Sequence, residues 1–173
     1  MSKERTERQQ QMLQALITAG EPLTGADLAT VCGVTRQVVV HDIALMRAAG
    51  EPILSTPRGY WLHSRESARP EHVLSVMHPP ELTETELLIL VDHGIYVVDV
   101  QVEHPVYGEL RASLHLQSRK DVDQFLQKIR ESGATLLSAL TDGLHLHTVE
   151  CTDIGRLREA IVALRVAGIQ VLE

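Results

Sequence analysis

The stretch that most constrains this chain is TGADLATVCGVTRQVVVHDIALMRAAG, residues 24–50, because its capping residues and glycines fix two helices and leave almost no chain between them. Thr24 stands where an N-cap belongs, Leu28, Ala29 and Val31 supply an apolar face, and Cys32-Gly33 closes the short helix. Thr35 then caps a longer helix running to Ala49, with Val39, Ile43 and Met46 at i, i+4 and i+7 and Gly50 as its stop. Isolated helices of this length are marginal in water, so a further element has to cover their apolar faces. The segment from about Lys3 to Ala19 provides it: Met12, Leu13, Leu16 and Ile17 form a stripe on an otherwise polar helix that ends at Gly20.

Three helices with a tight glycine turn between the last two make a helix-turn-helix. The runs PILST (52–56) and GYWLH (59–63) flank Pro57-Arg58 and read as a hairpin with Arg58 at its tip, which turns residues 1–63 into a winged helix. With Val39 and Ile43 facing inward, the exposed positions near the start of the third helix are Arg36, Gln37, Val40 and His41. Arginine pairs bidentately with guanine, glutamine with adenine, and valine meets the thymine methyl, so this face is the candidate reader of base edges. Thr35 and Arg58 are candidate phosphate or minor-groove contacts. The segment LTGADLATVCGVTRQVVVHDIALMRAAGEPILSTPRGYWL resembles the biotin-repressor-type winged helix of bacterial regulators, with Thr35-Arg36, Asp42-Ile43 and Arg58-Gly59-Tyr60 in its register.

A net charge of -7 argues against a nucleic-acid partner until it is divided along the chain. Residues 1–69 hold eight basic and seven acidic side chains, residues 70–173 eight and sixteen, so the acidity belongs to the second part. The nearly neutral first part can approach phosphate, though one copy binds weakly, and a homodimer on two half-sites of double-stranded operator DNA is expected. Apolar runs such as LLILV (87–91) are far too short to cross a bilayer, and MSKERTERQQ has no apolar segment behind it, so no membrane and a cytoplasmic location are expected. Cys32 and Cys151 match no CxxC spacing and indicate neither a disulfide framework nor a thiolate zinc site.

Residues 64–70 lack periodicity, end in Pro70 and read as a linker. Residues 71–173 predict a second domain: strands over 71–78, 95–104, 109–117 and 144–150, helices from Thr83, over 119–132 and over 154–167, and a terminal apolar IQVL. The order βαββαβα fits a two-layer α+β domain with an antiparallel sheet and helices on one face. The last helix favours the HPr-like strand order 1-4-2-3 over the ferredoxin-like 4-1-3-2. Either order lays the fourth strand beside the first, so His78, ending one, meets His145 and His147, beginning the other.

In LHLHTVE, alternation sends both imidazoles to one face and Leu144 and Leu146 to the other. The leucines are expected to face the helices, which leaves Glu86, in the first turn of the helix after His78, to reach around the end of the sheet. Thr83 and Glu86 also have the T-x-x-E spacing of a capping box. Three imidazoles and a carboxylate suit one divalent transition metal per chain, with zinc, nickel, iron and cobalt equally compatible.

The stretches VMHPPELTETEL, VEHPVYGEL and LTDGLHLHT resemble the 3H domain found behind a winged helix in bacterial nicotinic acid repressors of NAD biosynthesis and niacin uptake. That resemblance implies a metal at His78, Glu86, His145 and His147, and nicotinic acid as a co-repressor that strengthens operator binding. It also points to His104 and Tyr107, in the HPVYG turn, as effector-pocket residues. The expected function is a nicotinate-responsive transcriptional repressor. One competing reading is a regulator that senses the metal alone. Another is an amide hydrolase using metal-activated water. Against the hydrolase, no separate general base lies near the four residues and a winged helix would be idle.

Overall fold

The computed structural model describes residues 3–62 and 69–172. The chain divides into two compact units, Met1–Glu66 and Ser67–Glu173. His63 and residues 64–68 of the expected linker lie outside the described residues.

The first unit runs α1 (Lys3–Ala19), α2 (Gly25–Cys32), α3 (Arg36–Ala48), β1 (Ile53–Thr56) and β2 (Gly59–Leu62). Side chains and a glycine set the ends of α2 and the start of α3. Thr24 and Asp27 make a reciprocal capping box at α2, Gly33 closes α2 in the left-handed region at φ 64°, and the Thr35 hydroxyl accepts from the Val38 N–H to start α3. Met12 and Leu16 from α1, Leu28 from α2, Val39, Ile43 and Met46 from α3 and Ile53 from β1 form one buried cluster. Ile17 and Val31, expected on the buried stripes, are instead 54% and 48% exposed. Ile17 directly follows the buried Leu16, and one helix stripe against a small core is too narrow to bury both neighbours.

Asp42 is fully buried on α3, and its carboxylate accepts from Arg8 Nε at 2.6 Å and Gln9 Nε2 at 3.3 Å on α1. Burial alone pushes the Asp42 carboxyl up, but these hydrogen bonds and the charges of Arg8 and Arg5 outweigh it and hold the group below its usual range. The hairpin β1–β2 is tied back by a bridge between Leu23 and Tyr60, with Tyr60 N–H donating to Leu23 O at 2.7 Å. Gly59 makes that closeness possible, since a Cβ there would lie 2.3 Å from Leu23 O.

The second unit runs β3 (Glu71–Met77), a 3-10 turn (Pro80–Leu82), α4 (Thr83–Asp92), β4 (Tyr96–His104), β5 (Gly108–Leu116), α5 (Arg119–Ser132), a 3-10 turn (Leu137–Thr141), β6 (Leu144–Glu150), α6 (Ile154–Val166) and β7 (Gln170–Leu172). The strand order is β5-β4-β6-β3-β7, all neighbours antiparallel. Its first four strands in sequence lie in the HPr-like order 1-4-2-3, which excludes the ferredoxin-like alternative, and the terminal IQVL adds β7 outside β3. The core joins Leu74, Val76, Val97, Leu116 and Val149 of the sheet to Leu87 and Leu90 of α4, Val122 of α5 and Leu157 and Leu164 of α6. Full burial of each such side chain contributes roughly 1.5–3 kcal/mol.

Directly paired residues share a sheet face, and Leu74 pairs with His147 while Val76 pairs with His145. His145 and His147 therefore face the helix layer, at 3% and 2% exposure, and Leu144 points away from it at 40%. This reverses the expected orientation of β6. Glu86 does not reach around the sheet end; it projects from α4 onto the face that carries the histidines.

Candidate functional site

His78 lies immediately after β3, and its ring Nδ1 sits 2.9 Å from its neighbour's carbonyl, Pro79 O. His145 Nδ1 lies 2.9 Å from Gly143 O, and His147 Nδ1 lies 2.6 Å from Asp99 O. A carbonyl only accepts, so in each ring Nδ1 carries a proton and Nε2 is the atom turned to Glu86, donating to the carboxylate when the ring is charged and offering a lone pair when it is neutral. All three Nε2 atoms converge on Glu86. Its Oε2 is 2.7 Å from His78 and 3.3 Å from His145, and its Oε1 is 3.4 Å from His147. Successive rings pack edge to face with centroids 4.9 Å apart. Ligand atoms of His78, Glu86 and His145 all lie within 4.8 Å of one another.

Every member is buried, Glu86 completely. Burial pushes the Glu86 carboxyl up, but the facing His147 charge and the hydrogen bonds of His145 and His78 hold it well below the usual carboxylate range. Burial pushes the His78 and His147 imidazoles down, and Glu86 outweighs it, so both are raised. One carboxylate neutralises one imidazolium, which leaves the other rings neutral, with Nε2 lone pairs turned to the oxygens of the same carboxylate, His78 and His145 at Oε2 and His147 at Oε1. Glu86 Oε1 and His147 Nε2 are buried without a hydrogen-bond partner among the described residues. Acceptors facing acceptors in a buried place are costly unless a cation lies between them, and a His3Glu donor set suits a divalent transition metal. The backbone bonds to the far ring nitrogens are the outer contacts that fix tautomer and orientation in such centres.

The glycine after Asp142 is part of this construction. Gly143 has φ 93°, and a Cβ there would stand 2.2 Å from His78 O, so the turn entering β6 lies directly on the backbone carrying His78. Asp99 has a double role. Its backbone oxygen orients His147, while its carboxylate accepts from Thr148 N at 3.1 Å, Gln101 Nε2 at 2.9 Å and Arg111 Nε at 2.7 Å. The pairing of β4 with β5 shifts register between Val97 and Asp99. Sequence reading passed over Asp99, although an acid inside IYVVDVQV was the available signal.

The expected Thr83–Glu86 capping box is not formed. Leu82 is the N-cap of α4 and offers no side-chain cap; Thr83 is already helical, and Glu86 is committed to the histidines. A cavity of about 210 Å³ adjoins the cluster, lined by Thr83, Glu86, His145 and His147 together with Leu87, Val100, Ala112, Leu114, Phe125, Ile129 and the segment Thr135–Ser138. A cavity of roughly 150 Å³ accommodates a benzene ring, so this one has room for a small substituted aromatic molecule.

His104 and Tyr107 are not brought to that cavity. His104 Nδ1 accepts from the Val106 and Tyr107 N–H groups at 3.2 Å within the β4–β5 turn, and Tyr107 is 75% exposed. The apolar wall from α5 and the following segment went unnoticed in the sequence because its members are scattered between Leu87 and Ser138.

In the first unit Thr35, Arg36, Gln37, Val40 and His41 all lie on the exposed face at the start of α3. The Arg36 side chain crosses Gly25, where a Cβ would meet its Cγ at 3.3 Å and Tyr60 Cε2 at 3.6 Å. Arg58 is half-buried at the hairpin turn, its N–H donating to Thr56 Oγ1 at 3.2 Å. Among the described residues no single helix is long and apolar enough to cross a membrane.

Residues 71–173 match the 3H domain family and residues 8–61 match an HTH domain. The chain is 43% identical over 165 residues to the transcription repressor NadR of Bacillus subtilis (strain 168), covering 94% of this chain and 92% of the relative. It is 38% identical over 173 residues to the probable transcription repressor NiaR of Thermotoga maritima, covering 100% of this chain and 98% of that protein. Both relatives are named as regulators rather than enzymes. The chain belongs to the NadR/NiaR family of transcription repressors, in which an HTH domain is followed by a 3H domain.

Proposed function

We propose that this repressor acts in the cytoplasm on genes of NAD biosynthesis or niacin uptake, with nicotinic acid as co-repressor. In this reading residues 71–173 form the regulatory domain, which holds one divalent transition metal at His78, Glu86, His145 and His147. Residues 1–63 bind double-stranded operator DNA as one half of a homodimer. The observation that carries it is the convergence of three histidine Nε2 atoms on a fully buried carboxylate that lines a mostly apolar cavity. When bound, the ion supplies the positive charge this donor set faces and a Lewis-acidic position for an anionic ligand. Nickel, zinc, iron and cobalt all remain compatible with the donors.

The chain's own residues account for the rest. His78, His145 and His147 are oriented by backbone carbonyls, Glu86 balances charge, and the apolar wall excludes water and accepts the flat faces of a ring. Arg36, Gln37, Val40 and His41 read base edges while Thr35 and Arg58 hold phosphate or the minor groove. A ligand that binds the operator-competent arrangement more tightly shifts the population toward it, and about 1–3 kcal/mol of coupling gives a useful switch. A regulator sensing metal alone has no use for the cavity, which favours the small-molecule reading.

The test is fluorescence anisotropy on a nicotinate-pathway promoter fragment, with metal-loaded wild type and His145→Ala, with and without nicotinic acid. Wild type tightens several-fold on addition of nicotinic acid and His145→Ala does not. Operator affinity that ignores nicotinic acid refutes the co-repressor role, and metal dependence without nicotinic acid dependence selects the metal-sensor reading.

A further inference from the structure

We infer that Thr83 is a specificity-determining residue, selecting a ring that carries a second hydrogen-bond acceptor remote from the metal-ligand cluster. This rests on the reading above, that a small aromatic acid occupies the cavity. Thr83 opens α4 with helical φ -59° and ψ -43°, so its hydroxyl cannot act as the N-cap that its sequence position suggests. Its spacing partner Glu86 is taken by the histidines. A buried helical threonine usually turns its hydroxyl back to a carbonyl three or four residues earlier, and here that bond is not made. Thr83 is 8% exposed, and its Oγ1 is buried with no hydrogen-bond partner among the described residues.

Among the described residues of this unit, the other buried side-chain atoms without a hydrogen-bond partner are Glu86 Oε1 and His147 Nε2, and their residues line the same cavity as Thr83. Residues three apart on a helix lie one above the other on the same face, so Thr83 and Glu86 present two polar groups a turn apart to one apolar chamber. The remaining wall is set by groups such as Leu114, Phe125 and Ile129. A flat ring between them with an acceptor at each of two positions satisfies both ends. One acceptor lies at the cluster, and the other receives the Thr83 O–H. A pyridine nitrogen and a carboxylate oxygen are both acceptors, so a pyridine carboxylate meets the requirement in either orientation, whereas benzoate leaves one polar position unpaired. A site built to hydrogen-bond a ligand discriminates against the analogue that leaves its buried group unsatisfied.

The experiment is isothermal titration of the full-length protein, saturated with zinc, with nicotinic acid and with benzoic acid, comparing wild type, Thr83→Val and Thr83→Ser. Metal content and thermal unfolding of each variant establish that the cluster is intact. Wild type prefers nicotinic acid over benzoic acid, Thr83→Val loses on the order of tenfold in nicotinic acid affinity while holding benzoic acid at least as well, and Thr83→Ser keeps the preference. Undiminished preference in Thr83→Val overturns the assignment of Thr83, as does an equal loss for both acids. Wild type that binds neither acid overturns the occupancy of the cavity itself and this inference with it.

Discussion

Gly143→Ala is the substitution through which the histidine cluster is most sharply tested. Two costs add at this position. Alanine in the left-handed region costs about 1–2 kcal/mol through its own backbone. Beyond that, the new Cβ falls 2.2 Å from His78 O and 2.9 Å from His78 C, so a backbone rather than a pliable side chain has to retreat by the better part of an ångström. Gly168 provides the control, since its φ of 86° is close to the 93° of Gly143 and a Cβ there meets nothing within 4 Å. Gly168→Ala therefore carries the conformational cost alone, and Gly143→Ala about 2 kcal/mol more, for a total near 3–4 kcal/mol, toward the upper end for a single substitution. For a domain of this size that is roughly 4 °C in Tm per kcal/mol, or about 8 °C between the two variants. The same retreat displaces Gly143 O, which orients His145, and the segment bearing His78, so metal affinity falls about 10–100-fold in Gly143→Ala and stays unchanged in Gly168→Ala. Calorimetry gives the first difference and zinc competition against a chromogenic chelator the second. Equal Tm values and equal zinc affinities for the two alanine variants would show that the close packing of this turn against His78 does not position the cluster.

Two further predictions concern the first unit. The Asp42 carboxyl is held below its usual range in the folded protein, so its contribution to stability is fully present above the unfolded value near 3.9 and is lost as pH falls through the folded value. Asp42→Asn, which leaves the partly exposed Arg8 facing a neutral amide, lowers stability at pH 7 by about 1.5–3 kcal/mol and flattens the acid limb of the unfolding midpoint below pH of about 4; chemical denaturation across pH 3 to 7 reads both, and an unchanged acid limb refutes the pairing. On DNA, Gln37→Ala weakens operator binding by about 1–3 kcal/mol while sparing unrelated duplex, and Arg58→Ala weakens both and reduces the salt slope by about 1, as anisotropy titrations over a range of salt will show.

The winged helix was legible because its signals are local. Thr24, Gly33, Thr35 and Gly50 terminate helices through contacts only a few residues away, and the structure uses Thr24, Gly33 and Thr35 in those roles. The Leu23–Tyr60 bridge was not legible, since Leu23 reads only as a loop residue until Gly59 lets another backbone come against it. In the second unit, the order of elements was enough to bring His78 beside β6. The capping box at α4 failed for a reason of competition: a carboxylate can answer its own helix terminus or three imidazoles, and the buried imidazoles hold Glu86.

The reversed face of β6 has a different cause. A period of two states which residues share a side of a strand and is silent about which side is covered. Leu144 and Leu146, at the start of the strand, suggested that their side was the buried one. The rest of the strand already argued otherwise: Thr148 and Glu150 share the leucines' side, whereas Val149 shares the histidines' side and belongs fully buried to the helix-covered core. Beneath the helices the pairing of Leu74 with His147 and Val76 with His145 completes that face. Once the histidines are turned inward their cost changes, because an imidazole facing water needs no partner and one facing a closed apolar layer does. That need is what requires Glu86 to abandon its helix end and Asp99, Gly143 and Pro79 to supply backbone acceptors beside a mostly apolar chamber, so the inward turn of β6 is the event from which the site follows.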